Sequence, residues 1–154
     1  MLSLALGLLL LRPQGGYPEQ HARIQEQVER RYSEYAKACL RHDLYEMMNY
    51  MTSDVVWVVK KGEKKEELDR VALVGRLGEW VKSLDKDGVL RFHVNRMRIE
   101  DDDHVQTEVE VQYGPKNAPF PPKLPQDQKN IWKEDLVKVS GRWMLKRGEQ
   151  ISPK

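Results

Sequence analysis

Few residues in this chain have side chains that do chemistry unaided. Four histidines (His21, His42, His93 and His104) and a single cysteine, Cys39, are scattered over 154 residues. The histidines lack metal-ligand spacing, so no zinc site is expected. Cys39 has no partner for an internal disulfide and sits on an apolar helical face, so it reads as a small buried hydrophobe rather than a reactive thiol. No Ser-His-Asp order and no nucleophile elbow stands out. Asp101-Asp102-Asp103 crowds three acids together, yet without an EF-hand ligand series it reads as a polar turn. No metal and no cofactor is therefore expected. The more informative acid is Asp135, which alternates with Val137 and Val139 and is expected to point inward with them. A carboxyl in apolar surroundings has a raised pKa and can stay neutral and donate a hydrogen bond. Pairing with a lysine or arginine at the sheet edge is the alternative for Asp135.

The elements that must position such groups are legible by period. Ile24, Val28, Tyr32, Tyr35, Ala36, Cys39 and Leu40 recur at steps of three and four, which predicts a long amphipathic helix. Asp43, followed three residues later by Glu46, predicts a capped second helix carrying Leu44, Met47, Met48 and Met51. Thr52-Ser53-Asp54 is expected to break that helix, and the β-branched and aromatic run Val55 to Val59 to form a strand. A turn at Lys60 to Glu63 leads to a short return strand over Lys64 to Leu68. Asp69 then caps a third helix with Leu73, Leu77, Trp80, Val81 and Leu84 on one face. Leu90, Phe92 and Val94 alternate until the parity slips to Met97 and Ile99, predicting a bulge near Asn95-Arg96. Val105 to Tyr113 alternates cleanly as an antiparallel strand with one wet face. A proline-rich connection, Gly114 to Lys129, carries Phe120 as a candidate mouth or interface aromatic. Two strands close the chain, Asn130 to Val139 and Trp143 to Gln150. Helices segregated to one side of a mostly antiparallel sheet predict an α+β fold.

Composition narrows the partners. The apolar fraction of 40% supplies a core, and 26 basic against 24 acidic residues leave a net charge of +2. That balance gives no electrostatic footprint for nucleic acid. The doublets Lys60-Lys61 and Lys64-Lys65 read as a solvated hairpin tip. Residues 1–20 form an apolar leader and linker, and residues 21–154 a single domain. The leader MLSLALGLLLL is too short to span a bilayer and is similar to the apolar part of a secretory signal peptide, without its basic start or a cleavage site. The expectation is a secreted or periplasmic protein that meets a membrane only transiently through this leader, with a cytoplasmic protein as the alternative.

Three stretches carry a resemblance: Tyr35 to Leu44, Thr52-Ser53-Asp54-Val55-Val56-Trp57, and Trp132 to Trp143 with its Gly141-Arg142-Trp143 turn. From Ile24 to Ile151 the chain resembles the nuclear transport factor 2-like superfamily, the α+β cone fold of ketosteroid isomerase, scytalone dehydratase and the SnoaL-like proteins. The resemblance implies a curved, mostly antiparallel sheet wrapped around a long N-terminal helix with two further helices, and a pocket in the open end of the cone. The lining expected from it is Tyr32, Tyr35, Met48, Met51, Trp57, Val59, Trp80, Phe92, Val109, Val111, Asp135 and Val137. It implies that Tyr35 and Asp135 take the positions of the isomerases' oxyanion-hole tyrosine and protonated aspartic acid. The isomerases' general base falls at Val59, which cannot move a proton. His93, grouped by parity with Arg91 and Asn95 on the wet face, is a candidate base for dehydratase-like chemistry.

Three functions are carried forward. The leading one is a small-molecule-binding protein whose pocket takes an apolar or aromatic ligand bearing one carbonyl or hydroxyl. The second is an isomerase, lyase or hydrolase in which Tyr35 and Asp135 stabilise an oxyanion. The third is an interaction module that forms a homodimer through the sheet. The fold hosts many activities, so only the site can separate them.

Overall fold

The computed structural model describes residues 16–153. The leader expected to direct export lies outside the described residues. Helix α1 (Gly16–Leu40) begins ahead of the domain boundary expected at residue 21. Its apolar stripe is buried as the period predicts: Ile24, Val28, Tyr32, Tyr35, Ala36 and Cys39 all face the core. Among the described residues, no helix is long and apolar enough to cross a membrane.

His42, in the left-handed region at φ 57°, turns the chain out of α1. The Asp43 carboxylate then accepts from the Glu46 backbone N–H at 3.0 Å and caps α2 (Leu44–Met48). Met51 and Thr52-Ser53-Asp54, expected at the end of that helix, instead open strand β1 (Met51–Lys61). The physical reason is an irregular pairing: the register of β1 shifts between Met51 and Val56, so a segment without strand-like alternation still pairs. Gly62, at φ +63°, makes the turn into β2 (Lys64–Leu68). Asp69 caps α3 (Arg70–Lys82) through the Ala72 N–H at 2.9 Å.

The remaining strands are β3 (Val89–Asp101), β4 (His104–Gly114), β5 (Asn130–Val139) and β6 (Arg142–Ser152). The predicted bulge in β3 is present, between Val94 and Arg96. The six strands form one sheet in the order β2-β1-β6-β5-β4-β3. All neighbours are antiparallel except β1 and β6, which pair in parallel. The last strand thus enters the middle of the sheet. Helix α1 lies against the inner face beside β3, and α3 packs near β1 and β2. Val28, Met47, Leu73, Val105, Val109, Leu136 and Leu145 fill the space between helices and sheet. The α+β cone with its long first helix is the architecture expected from sequence.

Candidate functional site: an apolar cavity closed by one acid

A half-open cavity of about 210 Å³ lies between the sheet and α3. Strand alternation and helix period supply its walls. From the sheet come Trp57 and Val59 of β1, Phe92 of β3, Val111 of β4, and Trp132 and Asn130 of β5. From the helices come Tyr35 of α1 and Leu73, Arg76, Leu77 and Trp80 of α3, the last four spaced as one helical face. The rings pack closely: Trp57 and Trp132 centroids are 4.2 Å apart, and Tyr35 and Phe92 centroids 5.2 Å. The Trp132 indole N–H is satisfied by the Asn130 side-chain carbonyl at 2.7 Å. Aromatic walls of this kind suit a flat ligand.

The inner end of the cavity is acidic. Glu134 lines it, and only 3% of that residue is exposed. Its carboxylate accepts from the Tyr32 hydroxyl at 2.6 Å, and the Tyr32 oxygen lies 2.6 Å from the Thr107 hydroxyl oxygen. Since Tyr32 has one proton and gives it to Glu134, Thr107 donates to Tyr32. Pairing of β4 with β5 sets Thr107 directly opposite Glu134, so the register itself assembles this chain. Burial pushes the Glu134 pKa upward, while the nearby Arg31 cation and the Tyr32 hydrogen bond pull it back. Burial and the Glu134 charge together push the Tyr32 hydroxyl well above the ordinary range.

Arg31 is the cation behind this acid. It is 7% exposed, and its guanidinium carbon stands 5.0, 5.2 and 5.7 Å from the ring centroids of Tyr32, Tyr35 and Tyr50. It donates to the Tyr50 carbonyl at 3.0 Å. Three ring faces therefore replace part of the water that a buried guanidinium gives up. Tyr35 borders the cavity, and burial raises its pKa well above 10.0, with Cys39 beside it adding to the rise. Burial likewise pushes the Cys39 thiol up to about 12, as suits an inert core cysteine.

Asp135 is not in this site. It lies on the outer face of β5, beside Val137 and near Lys146, and is not brought together with Tyr35. The reason is register. The inward residues of β4 are Val105, Thr107 and Val109, and they oppose Leu136, Glu134 and Trp132. The valines at 137 and 139 pulled the expected parity the wrong way, because β5 is apolar on both faces. Val137 is thus an outer-face residue. Tyr32 stands behind the cavity as the donor to Glu134, and Met48, Met51 and Val109 are buried in the core without lining the cavity. Tyr35, Trp57, Val59, Trp80, Phe92 and Val111 do line it. His93 is exposed on the outer face opposite Glu110, away from the cavity. Phe120 lies against the Arg91 guanidinium and Gly114, so the proline-rich connection folds over the sheet edge.

No family model and no curated protein matches the chain by sequence. Solved structures match by shape. A putative scytalone dehydratase from Novosphingobium aromaticivorans superposes with TM-score 0.62 at 14% identity, covering 86% of this chain and 86% of that one. An NTF-2-like protein of unknown function from Silicibacter pomeroyi gives TM-score 0.63 at 9% identity, covering 84% and 96%. A Catenulispora acidiphila protein in complex with S-DNPA gives TM-score 0.58 at 18% identity, covering 84% and 94%. At such identities the likeness is one of fold.

Proposed function

From the nuclear transport factor 2-like fold as premise, we propose that this protein binds a small, flat, largely apolar molecule in the cavity between α3 and the sheet. The observation that carries the reading is a single buried acid, Glu134, at the inner end of a cavity walled mostly by aromatic and aliphatic side chains, with Asn130 and Arg76 as its other polar members. Apolar walls supply affinity without direction, and one polar group fixes orientation. Burial raises the Glu134 pKa above the ordinary carboxyl value, and in its neutral form the group can donate to a ligand carbonyl or hydroxyl. The complex of the similarly folded Catenulispora acidiphila protein with S-DNPA supports a ligand-carrying role for this cone.

Binding is testable with 2-naphthol, a flat bicycle with one hydroxyl. Trp57, Trp80 and Trp132 all border the cavity, so their fluorescence reports occupancy. The probe should quench that emission and raise the thermal midpoint by several degrees at saturation. Val111→Trp, which fills the cavity, should abolish both effects while circular dichroism stays native. Binding that survives Val111→Trp would place the ligand elsewhere and overturn the reading.

A second reading, proton-transfer catalysis, is favoured by the same acid. A carboxylate whose pKa is raised by burial and that lines a cavity is what removal of a proton beside a carbonyl needs. In this reading the Glu134 carboxylate takes a C–H proton of a bound ketone, Tyr35 faces the developing enolate, and the proton returns to carbon. Exchange of the C1 protons of 2-tetralone in D₂O, followed by NMR, tests it. Acceleration by the native protein that Glu134→Gln removes supports catalysis, and equal rates with both proteins refute it.

A further inference from the structure

Exposure orders the cavity lining from floor to rim. Glu134, Leu73 and Tyr35 are buried, Trp57, Trp80 and Phe92 are half-buried, and Arg76 is exposed. The two charged residues of the lining therefore stand at opposite ends, the acid inside and the cation at the mouth. Among the described residues, Arg76 pairs with one side chain, Glu66, at 3.1 Å. Glu66 is held at the same time by Lys61 at 2.6 Å, so this rim cluster carries two cations against one acid. A guanidinium presents five N–H donors in a planar fork, and one bond to Glu66 leaves most of them for a carboxylate.

Resting on the pocket reading above, we infer that the ligand is a compact aromatic or alicyclic carboxylic acid with a hydroxyl or carbonyl oxygen at its far end. Its ring lies among Trp57, Trp132 and Phe92. Its distal oxygen meets Glu134, and its carboxylate meets the free edge of Arg76. The opposite polarity is disfavoured: a carboxylate at the floor would face Glu134, and a cationic ligand would meet Arg76 on entry. The small volume limits the body to about two fused rings.

Calorimetry with two probes of equal ring size tests the assignment. 6-Hydroxy-2-naphthoate carries both groups, and 2-naphthol lacks the carboxylate. The native protein should bind the naphthoate about tenfold more tightly than the naphthol, a difference one charge-assisted contact supplies. Arg76→Gln should erase that preference, whereas Lys82→Gln, a charge loss on the same helix, should preserve it. Equal affinity of the two probes for the native protein overturns the inference and leaves the pocket reading standing. A preference that survives Arg76→Gln also overturns it. Failure of both probes to bind removes the pocket reading and this inference together.

Discussion

At the scale of single residues, Glu134 decides the behaviour of the site. Its folded pKa lies above the ordinary 4.5 because burial outweighs Arg31 and the Tyr32 hydrogen bond. A group raised in this way gives its full contribution to stability below 4.5 and loses it as pH climbs through the raised value. Glu134→Gln keeps a neutral donor and acceptor but does not ionise. The urea midpoint of the variant, measured from pH 4 to 8, should therefore fall less with pH than that of the native protein, and the gap should widen as pH rises. Parallel curves would show that Glu134 does not titrate there. Tyr32→Phe acts on the same chain from the other side. It strips the donor from Glu134 and the acceptor from Thr107, and should cost about 1–3 kcal/mol, the usual penalty for stranding a buried polar group. Half of this site was legible beforehand. Tyr35, Trp57, Val59, Trp80, Phe92 and Val111 were expected in the lining from the family resemblance, and they border the cavity. Glu134 was hidden by its neighbours: Val137 and Val139 suggest the opposite face, and only the pairing of β5 with β4 resolves the parity. Arg31 was hidden because a cation on a long helix ordinarily points to solvent.

At the scale of elements, boundaries that rest on a local signal were readable, and those made by distant contacts were not. Asp43 and Asp69 announce their helices because a cap bonds backbone three residues away. The start of β1 at Met51 has no such signal. It is held by Arg70, which donates to the carbonyls of Met48, Met51 and Thr52 at 3.1, 3.2 and 2.9 Å. One side chain at the head of α3 thus ties the α2–β1 junction to the helix that walls the cavity. Arg70→Gln should cost about 2 kcal/mol in chemical denaturation, since charge-assisted bonds are worth roughly 1.5–3 kcal/mol. Arg70→Lys should recover only part of it, because an ammonium cannot span three carbonyls as a guanidinium fork does. Gly148 of β6 has an equally specific duty. A Cβ there would stand 2.7 Å from the Trp57 ring. Gly148→Ala should push that indole toward the cavity, lowering 2-naphthol affinity several-fold, and a crystal structure of the variant should show the ring displaced.

At the scale of the whole molecule, the α+β class and the antiparallel run of β3 to β6 were readable because neighbours in sequence are neighbours in the sheet. The insertion of β6 between β5 and β1 was not, since strand periodicity states which face is buried and not which strand lies alongside. That insertion has a consequence for cooperativity. Residues Val56 to Val58 pair with Arg147 to Glu149, so the first strand is anchored by the last. The cavity draws its walls from α1, α3 and five strands, β1 to β5, and holds Trp57, Trp80 and Trp132. No wall of the cavity can then be lost while the sheet stays whole, unless one of the helices, α1 or the shorter α3, detaches by itself. Small single domains with such long-range closure unfold in one step. Urea curves from tryptophan emission, which reads the cavity, and from far-UV circular dichroism, which reads the elements, should therefore coincide. If emission instead shifts at lower urea than the circular dichroism, α3 opens as a separate unit, and the cavity is a hinged cover over the sheet rather than part of a single core.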